Sequence, residues 1–144
     1  MCPADAEEAA ALERVCFSEP WSAASFLDSI ASRGWICLIF EDAGTLVGIL
    51  CAEQILDEID LVTLAVSPSH RRLGIASALL SSLFRRAALQ SASVIHLEVR
   101  ASNLPALRLY ESHGFKSVGI RRSFYRMPRE DAVLMDKYIK FEGR

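Results

Sequence analysis

LAVSPSHRRLGIASALLSSLFRRAALQ, Leu64 to Gln90, reads as the end of a strand, a turn and a helix. Just upstream, Ile59, Leu61 and Thr63 alternate with Asp60 and Val62, the period of a half-buried strand. Pro68 has no N–H to give to a ladder and ends it. Beyond the turn, Ile75, Leu79, Leu80, Leu83, Phe84 and Ala87 fall on one helical face. Ser77, Ser81, Ser82, Arg85 and Arg86 fall on the other. Between strand and helix lies RRLGIA, where Gly74 and Ala76 carry no bulk and let a ligand approach the backbone. The free N–H groups of the helix's first turn, with the helix dipole, favour a phosphate or pyrophosphate. No Gly-Lys-Ser/Thr completes a Walker A loop, and no GxGxxG is present. An anion site fits this turn. So does an ordinary strand-to-helix connection whose arginines are solvated.

The rest of the chain narrows the class. Its 144 residues fit one domain, 1–144, and a hydrophobic content of 51% is enough for a sizeable core. Aliphatic runs alternating with helical patterns predict α/β architecture. A formal charge of −2 argues against a general nucleic-acid binder. No run of 18 apolar residues is long enough to span a membrane, and the acidic start MCPADAEEAAALE lacks the pattern of a signal peptide. Cys2, Cys16, Cys37 and Cys51 match no zinc spacing and are expected to be reduced thiols of a cytosolic protein. His70, His96 and His113 are scattered with no HExxH pairing, so no metal is expected.

In chain order, a first helix is expected from Asp5 to Cys16. Asp5 and Glu8 form a capping-box-like start, and Ala9, Leu12, Val15 and Cys16 its apolar face. Pro20-Trp21 interrupts it. Ser22 caps a second helix to about Ala31, with Phe26, Leu27 and Ile30 inward. Trp35–Phe40 and Leu46–Ile55 read as strands joined by a turn in which Gly44 takes positive φ. Asp57, Glu58 and Asp60 read as a solvated turn, or as an attraction for a basic peptide. Ser93–Val99 is a strand parallel to Ile59–Ser67, since a helix separates them. Glu98 at its end is either the ion-pair partner of Arg100 or a carboxylate held for use. Asn103 caps a helix with Pro105 in its first turn and Gly114 at its stop. Tyr110, among leucines, reads as core. Phe115–Ile120 and Ala132–Ile139 form a closing hairpin across a long connection, Arg121–Asp131. That connection holds Arg121, Arg122, Phe124, Tyr125, Arg126 and Arg129, a set able to stack on bases. In a short loop of a net-acidic chain, no direct nucleic-acid binding is expected.

Two motifs carry a resemblance. Arg71-x-x-Gly74-x-Ala76 after a strand resembles the acetyl-CoA motif of the GNAT superfamily of N-acetyltransferases. LEVRASNLPALRLYESHGF, Leu97 to Phe115, resembles its branch of bacterial ribosomal-protein N-terminal alanine acetyltransferases, and the likeness runs from about Leu12 to Tyr138. The resemblance implies a GNAT fold: a mixed, mostly antiparallel sheet with a splayed parallel central strand pair, flanked by helices. It implies acetyl-CoA as co-substrate, its arm paired with Leu64, Ala65 and Val66 and touching Asn103. Its pyrophosphate would sit on Arg71, Arg72, Leu73, Gly74, Ile75, Ala76 and Ser77. It implies Glu98 as general base, Tyr110 as general acid and the Val66 N–H on the thioester carbonyl. No cysteine stands at a matching nucleophile position, so direct attack by the amine is expected. The acceptor would be a protein N-terminus, an N-terminal alanine of a small-subunit ribosomal protein, met by the Pro20–Trp21–Ser22 region and the Arg121–Asp131 connection. A lysine or small amine is the alternative acceptor, and a non-catalytic acetyl-CoA sensor the alternative class. One departure stands out. Such proteins begin with a strand, but only about four residues precede the first helix here. The first edge strand is therefore expected to be missing, or to lie upstream, which leaves Trp35–Phe40 as an edge for a partner or for self-association. The stretch after Arg122 is also slightly shorter than in that branch.

Overall fold

The alternation and the helical period around residues 64–90 carry over into three dimensions. The computed structural model describes residues 1–139, so 140–144 of the expected domain lie outside the described residues. In order, the elements are α1 (Ala6–Cys16), α2 (Ala23–Ala31), β1 (Trp35–Asp42), β2 (Thr45–Ile55), β3 (Glu58–Val66), α3 (Ile75–Leu89), β4 (Val94–Arg100), α4 (Leu104–Ser112), β5 (Lys116–Arg126) and β6 (Arg129–Tyr138). The strands form one sheet in the order β1-β2-β3-β4-β6-β5. Every neighbouring pair is antiparallel except β3–β4.

Helices cover both faces. On one face Ile75, Leu79, Leu80, Leu83 and Ala87 of α3 pack with Leu50, Ile59, Leu61 and Ile95. On the other, Ala6, Ala9, Ala10 and Leu12 of α1 and Phe26 of α2 pack with Ile49, Cys51 and Ala65. β2 is consequently buried without a break from Leu46 to Ala52. Gly48 lets α3 approach this strand: a Cβ there would lie 2.9 Å from Ile75 Cγ2. Burying aliphatic surface on two faces at about 25 cal/mol per Å² is the main stabilising term.

The parallel pair matters most for function. β3 and β4 are in register only at Glu58↔Val94, Ile59↔Ile95 and Asp60↔His96. From Leu61 onward they diverge, and the edge of β3 facing β4 has no strand partner. The paired end is held by His96, whose Nε2 lies 2.7 Å from Glu58 Oε1 and whose Nδ1 lies 2.6 Å from Asp136 Oδ1 of β6. Asp57 accepts there from the Ser93 hydroxyl at 2.8 Å.

Several local expectations are corrected. Asp5 and Glu8 do not form a capping box: the Asp5 carboxylate accepts from the Cys2 N–H at 2.7 Å, and Glu8 faces the Leu46 N–H at 3.4 Å. Val15 points to solvent, and Glu13 takes the inward position. In α2, Phe26 is buried but Leu27 is exposed, and Ser29 takes the inward place. The Ser22 cap stands, with its hydroxyl accepting from the Ser25 N–H at 3.1 Å. The long connection Arg121–Asp131 is not a loop. β5 runs on to Arg126, β6 starts at Arg129, and Met127-Pro128 makes the turn. The extra residues are absorbed by a register shift between Arg121 and Tyr125, where Ser123 takes φ +52°. Both faces of this tip are largely solvated, so no apolar alternation marks it as strand. No strand precedes α1 among the described residues, and β1 is one edge of the sheet.

Candidate active site

The divergence of β3 from β4 opens two cavities, of about 410 and 620 Å³, that share Cys16, Phe17, Leu64, Asn103, Ala106 and Tyr110 in their walls. They are two halves of one slot that meet at Tyr110.

The larger half runs along β3 to the turn before α3. Leu64, Ala65 and Val66 line it, as do Arg71, Arg72, Gly74, Ile75, Ala76, Ser77 and Asn103. Leu73 does not line it; its side chain points to solvent. The Ser67 N–H donates to the Val47 carbonyl of β2 at 2.8 Å. The Val66 N–H, one residue back on an extended chain, therefore points the opposite way, into the gap. Gly74 is the N-cap of α3 with φ +80°, and a Cβ there would meet nothing within 4 Å. The backbone around it is open to a ligand, and the first-turn N–H groups of α3 lack capping side chains. Arg71 does not reach out over this turn: its Nε donates to the Val66 carbonyl at 3.3 Å and its Nη2 to Cys16 Sγ at 3.7 Å. Burial pushes the Cys16 thiol up, against the opposing pull of Arg71. Ser77 Oγ lies 2.9 Å from His113 Nε2, which ties α3 to the end of α4. Asn103 caps α4, its Oδ1 accepting from the Ala106 N–H at 3.2 Å.

The smaller half lies between the α1–α2 connection and the ends of β4 and β5. Glu98 opens onto it. Among the described residues it is not paired with Arg100, as the simple ion-pair reading has it, but with Arg121, whose Nη1 lies at 3.5 Å. Both partners are well exposed, so that contact adds little. Arg100 instead crosses to Glu130 and to the turn between β5 and β6. Tyr110 reaches the slot from α4, 9% exposed, its ring edge-on to Phe115 at 5.6 Å between centroids. Burial holds its phenol well above the ordinary range, so it stays protonated. Tyr125 faces Glu98 from β5. Burial and the Glu98 charge push its phenol up to about 12, with Arg100 opposing. Asp57, Glu58 and Asp60 line neither half of the slot, so the acidic run belongs to the closed end of the strand pair.

The profile described as "Acetyltransferase (GNAT) family" matches residues 6–115. The chain belongs to the GNAT family of acetyltransferases. Among GNAT relatives, it is 33% identical over 131 residues to the ribosomal protein bS18-alanine N-acetyltransferase of Haemophilus ducreyi, covering 89% of this chain and 90% of that protein. It is 36% identical over 138 residues to the N-alpha-acetyltransferase RimI of Mycobacterium tuberculosis, covering 92% and 85% respectively. It superposes on the crystal structure of the ribosomal-protein-S18-alanine N-acetyltransferase from Escherichia coli with a TM-score of 0.90 at 32% identity, over 100% of this chain and 94% of that one.

Two residues of this GNAT site escaped the reading of the sequence. Glu13 is 2% exposed in the wall of the smaller half. Its Oε2 accepts from the Thr63 hydroxyl at 2.6 Å and its Oε1 from the Trp21 N–H at 3.0 Å, while burial pushes its carboxyl up. The signal was present: Ala6, Ala9, Ala10 and Glu13 share one helical stripe, and a carboxylate on such a stripe needs partners. Arg100, read as a counter-ion, is the hub of the β5–β6 tip. Nothing local signals that, because its partners lie about the turn 27 and 28 residues on.

Proposed function

We propose that this GNAT protein transfers the acetyl group of acetyl-CoA to the N-terminal α-amino group of a protein, the N-terminal alanine of a small-subunit ribosomal protein, in the cytoplasm. The observation that carries it is the slot, whose two halves meet at Tyr110 with Glu98 facing one half and the Gly74 turn closing the other. The names of relatives more than 30% identical over nearly the whole chain support this: both fit an α-amino group, and that of the Haemophilus ducreyi protein gives the alanine of ribosomal protein bS18.

The unpaired edge of β3 and the open backbone at Gly74 suit the co-substrate's amide-bearing arm and its pyrophosphate. Leu64, Ala65 and Val66 receive the arm as a strand receives a neighbour. The turn Arg71–Ser77 and the start of α3 hold the anion. Acetyl-CoA supplies the acetyl group already activated as a thioester. Glu98 accepts a proton from the attacking amine, directly or through a water, as the new C–N bond forms. The Val66 N–H stabilises negative charge on the carbonyl oxygen. Tyr110, kept protonated by its burial, gives its proton to the sulfur as the C–S bond breaks. An α-amine with a pKa of about 8 is roughly a quarter neutral at pH 7.5, a lysine with a pKa of about 10.4 only about one part in a thousand. A partly exposed carboxylate, weakly paired, is thus a sufficient base for a chain terminus.

Incubation with acetyl-CoA and a panel of peptides, read by mass, tests this. Peptides beginning with alanine are expected to gain an acetyl group at the terminus. Acetylation confined to an internal lysine overturns the choice of acceptor. Binding of acetyl-CoA with no turnover on any amine identifies a sensor instead.

A further inference from the structure

Arg100 ends β4 two residues beyond Glu98, and its guanidinium joins segments that are distant in sequence. Nη1 donates to the Pro128 carbonyl at 2.9 Å and to Glu130 Oε1 at 3.3 Å. Nη2 donates to the Met127 carbonyl at 3.1 Å and to Ser18 Oγ at 3.2 Å. The Ser18 hydroxyl in turn donates to the same Met127 carbonyl. The guanidinium carbon, Cζ, lies over the Tyr125 ring, 4.3 Å from its centroid. Glu130 completes the set by accepting from the Ser102 N–H at 2.6 Å. One planar fork therefore ties the β5–β6 turn to the α1–α2 connection and seats a tyrosine beside Glu98. Of this set, Ser18, Arg100 and Tyr125 line the smaller half of the slot.

The fold does not need this latch. The hairpin keeps its ladder to the tip through Tyr125↔Glu130 and Arg126↔Arg129, and Arg100 is outside both hydrophobic cores. What the latch sets is the relative position of two surface segments, which are joined besides by the Ser18–Met127 hydrogen bond. We propose that Arg100 is a positioning residue for the acceptor: it bolts the β5–β6 turn to Ser18 and holds Tyr125 in place, so that the acceptor half of the slot is preformed. The inference rests on the acceptor entering on the Glu98 side. It does not involve the acetyl-CoA half, whose walls contain none of these contacts.

Arg100→Lys and Arg100→Met separate this from a structural role. Lysine keeps the charge but not the fork, and no single ammonium spans carbonyls, carboxylate and hydroxyl with a flat face left for Tyr125. Steady-state kinetics on an N-terminal alanine peptide are expected to show the acceptor KM raised roughly tenfold or more in both variants. The acetyl-CoA KM and kcat are expected to stay close to wild type. Hydrogen exchange is expected to speed up together in residues 17–21 and 125–130, with β3 and β4 unchanged. Lysine restoring the wild-type acceptor KM overturns the proposal. So does a loss shared equally by kcat and both KM values, which marks general destabilisation. Should the wild type acetylate no amine, the proposed function fails. The latch is then judged by exchange alone: coupled loss of protection in the two segments upholds it, and unchanged protection overturns it.

Discussion

Glu98 and Tyr110 approach one cavity from different elements, and each has a structural alternative that a single substitution can test. The Glu98 side chain is 38% exposed and its 3.5 Å ion pair with Arg121 joins two exposed groups, so Glu98→Gln has little effect on stability. As the base, its loss lowers kcat on the order of 100-fold or more, with acetyl-CoA binding intact. The defect shrinks as pH rises towards the amine's own pKa, because solvent then supplies the neutral nucleophile. Tyr110→Phe keeps the ring against Phe115. It is expected to lower kcat with acceptor affinity unchanged, since only the proton proposed for the departing sulfur is lost. Pre-steady-state and steady-state rates on one alanine peptide check both; wild-type turnover in both variants rules out this catalytic pair. Gly74 sits at φ +80° with open space around it. Gly74→Val therefore has two costs: about 1–2 kcal/mol of backbone strain, and a branched side chain at the proposed pyrophosphate site. Calorimetry is expected to show acetyl-CoA affinity down by about tenfold or more, about 1.4 kcal/mol.

At the scale of elements, His96 binds β3, β4 and β6 together at the closed end of the strand pair. Burial pulls its pKa down, but the hydrogen bonds and charges of Asp136 and Glu58 outweigh that, and the net direction is up. A raised folded-state pKa means stability that is fully present below the unfolded value of about 6.5 and is lost as pH rises through the folded one. The stability difference between wild type and His96→Gln, from urea denaturation at several pH values, is expected to narrow over that window. A gap independent of pH shows that the imidazolium contributes nothing. The elements themselves were largely legible. β3 and α3 follow from period 2 and period 3.6, and the Ser22 and Asn103 caps and the Gly114 stop from single residues whose chemistry is local. The tip of β5–β6 was not, because a solvated hairpin carries no hydrophobic period. Nor were the partners of Arg100 and Glu13, because tertiary partners distant in the chain leave no spacing to read. Of the expected slot residues, Leu73 alone fell outside the cavity walls, since a motif gives which backbone turns there and not which way a leucine points.

For the whole molecule, one open margin of the sheet is β1. Its Trp35, Cys37, Leu38, Ile39 and Phe40 are only partly buried, and the Met1 ammonium donates to the Cys37 carbonyl, 3.0 Å away. Such an edge pairs readily with another strand. Self-association rising with concentration is expected in sedimentation velocity; a monomer throughout the accessible range counts against it.

The three-residue register between β3 and β4 also has a mechanical consequence. Across its middle the sheet is two half-sheets clipped at one end, like a peg, and a co-substrate arm lying along β3, as proposed, would act as the missing rung. Occupancy then adds to the resistance of the whole chain to unfolding, by about 2.7 kcal/mol at a ligand concentration 100 times Kd. The midpoint of thermal unfolding is expected to climb with added acetyl-CoA. Proteolysis of the ligand-free protein should first cut where the two halves can swing apart. In a cell, the lifetime of such a protein would follow the supply of its own co-substrate.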